Sequence, residues 1–298
     1  MKQWIVVFSL FLCISCQRED KHSLAPAEKE RKFASLLPEF EKSQEASGLT
    51  YTGEKFYVVF DNHNKVAQVA KDLESAKLYP TPYKTSDFEG ITSSEQGFAI
   101  VVEAKKKKRR TIPQVLLLDK AMQAIAKQNI DIDLQKSNKG IEGITRVNRG
   151  EREYYFLLCE GNYCVSTKKK DRGNGRIYVL ERYANELNLV AEIAIPKQAK
   201  FKDYSGIDIR GGNVAIVSQE SSALWLGQLS WTSWQLKHQS LWKFPKEGGE
   251  TVYCNVEGVA WISDDRIAVV SDKAKKREKQ CRKKSEMIHI FQVPKGKK

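Results

Sequence analysis

The sequence lacks the short motifs that mark several common enzyme classes. It contains no G-x-S-x-G elbow, no phosphate-binding G-x-x-x-x-G-K-[ST] loop and no H-E-x-x-H pair. Serine hydrolases of the α/β type, P-loop NTPases and zincin metalloproteases therefore have no support. Histidine is scarce, with four residues in 298, and only His63 lies near a predicted strand end that could join a site. A surface residue is the simpler interpretation of His63.

Long apolar runs are confined to the N-terminus. The segment MKQWIVVFSLFLCISC carries one positive charge at Lys2 and an apolar stretch, which is typical of an export signal and too short to span a membrane. Its end resembles a bacterial lipobox, which predicts a lipoprotein signal peptide over residues 1–16 and lipidation of Cys16. Gln17 favours the outer membrane by analogy. Ordinary signal cleavage without a lipid is the alternative.

The rest of the chain divides into two predicted parts. Residues 17–33 are polar and charged, with little to bury, so they are expected to form a flexible tether. Residues 34–298 are expected to form one domain. No run in them approaches eighteen apolar residues. We therefore expect a protein of the cell envelope, held at the membrane through its lipid anchor.

Four cysteines follow the signal, and none of them forms a C-x-x-C pair, which disfavours a redox or zinc site. An even number of cysteines in an exported chain predicts two disulfides. Cys159 and Cys164 flank a predicted hairpin loop, whereas Cys254 enters the last repeat and Cys281 lies in its long basic loop. The pairs Cys159–Cys164 and Cys254–Cys281 are the simplest of three possible connectivities.

A pattern recurs five times along the chain. Each copy begins with Ser or Glu, then Gly and an aliphatic residue, and leads through a turn to an apolar strand that closes on an acid. The opening steps are SGL at 47, EGI at 89, EGI at 142, SGI at 205 and EGV at 257. A third apolar run follows each copy. A weaker fourth run is visible in copies two to four, as NIDIDL, NLVAEIAI and HQSLWKF.

Four strands that recur at roughly 50-residue intervals predict an all-β fold, a β-propeller of five four-stranded blades, with six blades as the alternative. The fifth copy lacks an obvious fourth strand. Residues 34–46 are a candidate for it, and they would close the ring by joining the two ends of the chain.

The EGI and SGI steps with their closing acids resemble the SdiA-regulated propeller family and its relative, the esterase-like domain associated with phytases. The resemblance covers residues 45–293 and implies an exported propeller, in some members with bound calcium. Ser47 and Ser205, where the other repeats carry Glu, and the long basic loops depart from that pattern.

In a propeller blade the first strand lines the axis and the second returns, so the start of one and the end of the other share a face. The sequence therefore predicts an acidic hub at the channel mouth, made of Glu89, Glu142 and Glu257 with Ser47 and Ser205. The closing acids are expected nearby, farther from the axis: Asp61, Glu103, Glu160, Glu220 and Asp272. Converging carboxylates repel, and a divalent cation such as Ca²⁺ would relieve that repulsion. Alternatively, each Glu accepts backbone N–H groups and only holds the ring together.

The loops between second and third strands open on the same face and carry runs of basic residues. These predict an anion-binding rim around the hub; its members are Lys105, Lys106, Lys107, Lys108, Arg109, Arg110, Lys168, Lys169, Lys170, Arg172, Lys275, Lys276 and Arg277. A solvated surface without a ligand is the alternative. The net charge of +13 also points to anionic partners.

Three functions fit these features. The leading one is an envelope-anchored propeller that binds a phosphate-bearing small molecule or envelope polyanion, with nucleic acid disfavoured by export. The second is a metal-dependent, phytase-like phosphoesterase that uses the same face. The third is a scaffold that docks a partner protein.

Overall fold

The structure is a computed structural model that describes residues 22–40, 43–84, 87–107, 110–132, 134, 140–160, 164 and 175–294, with the side chains of 103–111 excepted. Strand β1 (Lys29–Lys32) and the short helix α1 (Phe33–Leu36) precede the first blade. In the described part of the chain, five four-stranded antiparallel sheets form the blades of a propeller. The predicted all-β fold and five blades are confirmed.

The blades follow one another along the chain. Blade one contains β2 (Ala46–Tyr51), β3 (Lys55–Phe60), β4 (His63–Ala70) and β5 (Ala76–Pro80). Blade two contains β6 (Phe88–Ser93), β7 (Gly97–Lys107), β8 (Arg110–Asp119) and β9 (Ala124–Asn129). Blade three contains β10 (Ile141–Arg149), β11 (Arg152–Cys159), β12 (Arg176–Tyr183) and β13 (Glu186–Ala194).

Blade four contains β14 (Gly206–Arg210), β15 (Asn213–Ser218), β16 (Ala223–Ser230) and β17 (Gln235–Lys243). A small hairpin of β18 (Lys246–Glu247) and β19 (Glu250–Thr251) leads into blade five. Blade five contains β20 (Val256–Ser263), β21 (Arg266–Ser271) and β22 (Met287–Gln292), with a 3-10 helix at Lys279–Lys283 between the last two strands.

The N-terminal strand closes the ring. β1 pairs antiparallel with β22, from Lys29 opposite Ile290 to Lys32 opposite Met287, and becomes the outer strand of blade five. The expectation that residues 34–46 supply this strand is wrong, as is a tether that extends to residue 33. A strand of sequence KERK escapes an apolar pattern search because an outer strand needs backbone pairing more than an apolar face.

The outer strand of blade two also lies elsewhere than the NIDIDL run that was expected to form it. β9 is Ala124–Asn129, and four of its six residues are exposed. Ile130, Ile132 and Leu134 of the apolar run are instead buried between blades two and three. Their hydrophobicity reflects packing between blades rather than strand pairing.

The core is divided among five clusters of buried side chains, each between two neighbouring blades. The first strands β2, β6, β10, β14 and β20 contact one another in cyclic order around the axis. The glycine of each repeat lies where these strands meet: Gly48, Gly90, Gly143, Gly206 and Gly258. A Cβ added to Gly48 would lie 2.6 Å from the Cα of Gly90, and one on Gly258 would lie 2.9 Å from the Cα of Gly48. The repeat glycines therefore permit close backbone approach between neighbouring blades.

Candidate functional site

One face of the ring carries an acidic cavity on the propeller axis, of about 350 Å³. We call this cavity the hub. Eight carboxylates line it: Glu45, Asp61, Glu89, Glu142, Glu160, Asp203, Glu257 and Asp272. Ala46, Ser47, Ser205, Gln219 and Lys275 complete the lining. Convergence of this many acids is notable in a chain with a net charge of +13.

Backbone irregularities aim the three repeat glutamates into the hub. The pairing register shifts between Phe88 and Gly90, between Ile141 and Gly143, and between Val256 and Gly258. Each shift leaves one glutamate out of the regular ladder: Glu89, Glu142 or Glu257. Such a β-bulge changes the direction of a side chain relative to the one it would have in a regular strand. The structure thus brings together the three acids that the repeat predicted.

The two repeat serines connect neighbouring blades. The Ser205 hydroxyl donates to the carbonyl oxygen of Val256 at 2.8 Å, and the Ser47 hydroxyl donates to that of Phe88. Both serines are buried at the hub wall. Each therefore ties its own blade to the residue just before the next blade's glutamate.

Two hub acids lie outside the repeat. Glu45 and Asp203 line the hub, and each precedes a repeat serine by two residues, in EAS and DYS. Asp203 is buried, and it accepts hydrogen bonds from the Ser218 hydroxyl and, at 3.0 and 3.1 Å, from the backbone N–H of Glu220. One sequence signal could have identified Glu45 and Asp203. In both blades whose repeat begins with Ser instead of Glu, an acid lies two residues before that serine.

The closing acids divide between the hub and its surroundings. Asp61, Glu160 and Asp272, which were expected near the hub and farther from the axis, line the hub itself. Glu220 instead lines a neighbouring groove. The side chain of Glu103 lies outside the described residues. The closing position thus supplies three of the hub acids.

Burial and mutual repulsion raise the pKa of several hub acids. Burial is the larger cause for Glu257, whose pKa lies well above its usual range, and Asp272, Glu142, Asp203 and Glu160 add to it. Asp272 has a pKa of about 7, raised by burial and then by neighbouring acids. Burial and the charges of Glu45 and Asp87 also raise the pKa of Asp61. Near neutral pH the hub therefore holds protons that ordinary carboxyls would have lost.

The donor set suits a hard cation that keeps part of its water. All the acidic donors are carboxylate oxygens, the ligand type that Ca²⁺ prefers. Within the described residues, no three hub carboxylates have oxygen atoms within 4.8 Å of one another. A cation in the hub would thus be held partly through water, or would draw the acids inward.

Only part of the predicted basic rim lies among the described residues. Lys275 lines the hub, and Lys275 and Arg277 line the adjoining groove, whereas Lys276 is exposed. The first basic run falls on extensions of β7 and β8, which end at Lys107 and begin at Arg110. Its side chains, and all of the run at 168–172, lie outside the described residues.

Both predicted disulfides are present. Cys159 is bonded to Cys164 and Cys254 to Cys281, with Cα separations of 6.1 and 5.8 Å. The second bond attaches the 3-10 helix of blade five to the segment that precedes β20. Glu278 lies with Cys254 and Cys281 in a cluster of metal-ligand type, but the two sulfurs are bonded to each other.

His63 has a packing role. Its ring stacks on Phe40 with a centroid distance of 4.2 Å, and its Nε2 lies 3.2 Å from the carbonyl oxygen of Ser43. His63 is not among the described residues that line the hub.

The predicted lipidation site, Cys16, lies outside the described residues, as does the whole signal segment. Among the described residues, no helix combines the length and the apolar composition needed to cross a membrane.

A protein-family model matches residues 34–275 and is described as SdiA-regulated. The chain belongs to the SdiA-regulated family. The matched region starts after β1 and ends before β22, so this family match leaves out the two strands that close the ring. No curated protein matches the chain.

Several solved structures are similar to the chain at low sequence identity. The β-xylosidase RS223 is 10% identical with a TM-score of 0.55, over 90% of this chain and 97% of that one. The PQQ-bound aldose sugar dehydrogenase from Streptomyces coelicolor is 12% identical with a TM-score of 0.46, over 91% and 100%. The glutaminyl cyclase of Myxococcus xanthus is 10% identical with a TM-score of 0.46, over 90% and 96%. Of these three, the likeness to the β-xylosidase RS223 bears on the fold, and at 10% identity it bears on the fold alone.

Proposed function

We propose that this SdiA-regulated family member is an envelope-anchored propeller whose hub holds a divalent cation, and through it an anionic, phosphate-bearing ligand. The observation that carries the proposal is the convergence of eight carboxylates on one axial cavity. The raised pKa values of Glu257 and Asp272 show the free-energy cost of that arrangement. A divalent cation would offset the cost by neutralising the acids.

The anionic ligand follows from charge. A cation held by carboxylates keeps open positions for the oxygens of an anion, and Lys275 at the hub wall adds a positive charge beside them. Phosphate oxygens suit both groups because they are hard, charged acceptors. The lipid anchor at Cys16 completes the proposal and rests on the sequence.

The test is thermal unfolding of metal-free protein in increasing Ca²⁺. We expect the melting temperature to rise, because a cation that binds only the folded state stabilises it by about 2.7 kcal/mol at a hundredfold excess over Kd. Glu142→Gln should abolish the rise, whereas Glu54→Gln, an equal charge change on an exposed turn, should retain it. The proposal is wrong if no divalent ion, including Mg²⁺, Mn²⁺ and Zn²⁺, shifts the wild type.

A second measurement tests the ligand. Calorimetric titration with inorganic phosphate should give saturable binding in the presence of the cation and none after chelation. Phosphate binding that survives chelation would separate the anion site from the hub.

The phosphoesterase alternative has one observation in its favour. Asp272 lines the hub beside the acids that could hold a metal. A metal held there would polarise a phosphoryl oxygen and lower the pKa of Asp272, whose carboxylate would then take a proton from the attacking water. A panel of phosphate esters with and without chelator distinguishes the two functions, since only the enzyme releases phosphate with turnover.

A further inference from the structure

The chain becomes part of the folded body well before β1. The backbone N–H of Lys243 donates to the carbonyl oxygen of His22 at 2.8 Å, and that of Leu24 donates to the carbonyl oxygen of Lys243 at 2.9 Å. Leu24 is 3% exposed and packs between blades four and five. The N-terminal segment is therefore fixed to the end of β17, which lies on the hub face.

This attachment limits the distance between the body and a lipid anchor. Residues 17–21 are all that separate Cys16 from His22. Even fully extended, six steps of chain span only about 20 Å. A lipid on Cys16 would hold the hub-face end of blade four close to the bilayer.

Positive charge is concentrated at the same corner. The Nζ of Lys243 donates to the carbonyl oxygen of Ser221 at 2.9 Å, and the backbone N–H of Lys202 donates to the Ser221 hydroxyl at 3.1 Å, so both lysines lie beside Ser221. Partial burial, and then the charges of Lys246 and Lys202, lower the pKa of Lys243. A groove of about 290 Å³ adjoins them between blades four and five. Lys202, Lys275 and Arg277 line it, together with the acids Glu220 and Glu278. An oxygen of Glu278 lies 3.8 Å from Nε of Arg277, so the arginine compensates part of the negative charge of this acid. We call the five basic residues the blade 4–5 corner: Lys202, Lys243, Lys246, Lys275 and Arg277.

We propose that the blade 4–5 corner docks on the anionic headgroup surface of the membrane that anchors the chain. This inference rests on the lipid anchor of the proposed function and does not require the hub cation. The short connection brings the corner to the membrane, and the anionic surface supplies the complementary charge. A lipid chain combined with a basic patch is the usual pair of signals for stable membrane attachment.

Vesicle sedimentation tests the surface without the lipid. The Cys16→Ser chain is mixed, with chelator present, with vesicles of phosphatidylcholine alone or with about a third phosphatidylglycerol. We expect binding to the anionic vesicles only, weakened by salt. Replacing Lys202, Lys243 and Lys246 by Gln should weaken it at least tenfold. The matched variant replaces Lys71, Lys120 and Lys127, exposed lysines away from the hub face, and should retain binding.

Three results would overturn the proposal. The first is no binding to anionic vesicles. The second is an equal loss in both triple variants, which would mean that net charge alone drives binding. The third is displacement by inorganic phosphate beyond its effect as a salt, which would assign the corner to a small soluble anion.

Lysine acetylation of the wild type in the same two vesicle types tests the orientation without any substitution in the corner. Lys202 and Lys275 should react more slowly in anionic than in neutral vesicles, and Lys71 and Lys120 should react equally in both. Equal reactivity of all four lysines would contradict the inference, and so would a mass spectrum of the wild type without lipid. Because chelator is present throughout, failure of the hub cation would leave these results unchanged.

Discussion

Asp272 illustrates how the fold changes the chemistry of a single side chain. In the unfolded chain its pKa is near 3.8, whereas in the hub burial and the charges of Glu45, Asp61 and Glu286 raise it to about 7. The backbone N–H of Lys273 donates to the carboxylate and partly opposes the rise. The folded protein consequently binds a proton here more tightly than the unfolded chain does. Its contribution to stability is full below pH 3.8 and is lost as the pH rises to about 7.

We therefore predict that Asp272→Asn stabilises metal-free protein at pH 8 by about 1–3 kcal/mol, since each unit of pKa shift corresponds to about 1.4 kcal/mol. Asparagine keeps the acceptor for Lys273 and removes the buried charge. Urea unfolding across pH 4 to 8 in chelator should show stability falling with pH in the wild type and falling less in the variant.

Asp264→Asn is the control for this measurement. Asp264 has a side chain that is 86% exposed and lies 3.3 Å from Arg210, so its loss should leave the pH dependence unchanged. A wild type whose stability is flat or rises between pH 4 and 7 would contradict the raised pKa of the hub acids.

At the scale of single elements, β1 is held by a partly buried polar cluster as well as by its backbone. Glu30 accepts a hydrogen bond from Lys284 at 2.6 Å and lies 3.2 Å from Nδ1 of His289. His289 is fully buried, and its Nε2 lies 3.1 Å from the Ser271 hydroxyl. Contacts with His289 and then Lys284 lower the pKa of Glu30 to about 2 despite partial burial. Because Ser271 and His289 are buried, we interpret this triad-like arrangement as a clasp for β1 rather than a hydrolytic site.

We predict that Glu30→Gln destabilises the protein at pH 7 by about 1 kcal/mol, a value reduced by water access to Glu30. A lowered pKa in the folded state gives stability that is present above pH 4.5 and lost as the pH falls to about 2. Acid unfolding of the variant should therefore lose part of its pH dependence in that window.

Glu28→Gln, next to β1, provides the comparison. Glu28 pairs with Arg266 at 3.0 Å on a partly exposed surface, so its loss should change stability by less than about 0.5 kcal/mol. Equal effects of the two substitutions would show that Glu30 acts only as a surface charge.

At the scale of the whole molecule, the five first strands must approach one another closely enough to close a small ring. Gly206 faces the tightest of these approaches: a Cβ there would lie 2.4 Å from the carbonyl oxygen of Glu257 and 2.9 Å from the Cα of Gly258. Both contacts are to backbone, which cannot move without separating blades four and five.

Gly206→Ala should accordingly lower the free energy of unfolding by about 3 kcal/mol or more, or prevent folding, as overpacking in a rigid core does. Gly150→Ala should cost only about 1 kcal/mol, because Gly150 has a positive φ of 60° but no atoms near its missing Cβ. Urea unfolding of both variants measures the difference. Similar losses would mean that the ring tolerates expansion at its axis.

Much of the candidate site could be predicted from the repeat, because a propeller places equivalent residues of each blade at equivalent positions. Glu89, Glu142 and Glu257 reach the hub for that reason. Glu45 and Asp203 were missed because they stand outside the repeat step. Glu220 was expected near the hub but lines the groove, since the position after a strand leaves the direction of a side chain open.

The repeat predicted five blades, with six as the alternative, and located the inner strands, and the cysteine positions gave the two disulfides as the simplest of three connectivities. Strand periodicity, the recurring glycine and the short loop between Cys159 and Cys164 are local features that survive without tertiary information. Contacts in three dimensions were needed to establish which segment closes the ring, how the acids of different blades share one cavity, and that His22 lies beside Lys243. Those contacts join residues as far apart as Glu30 and His289, and backbone pairing and long-range electrostatics leave no periodic pattern along the chain.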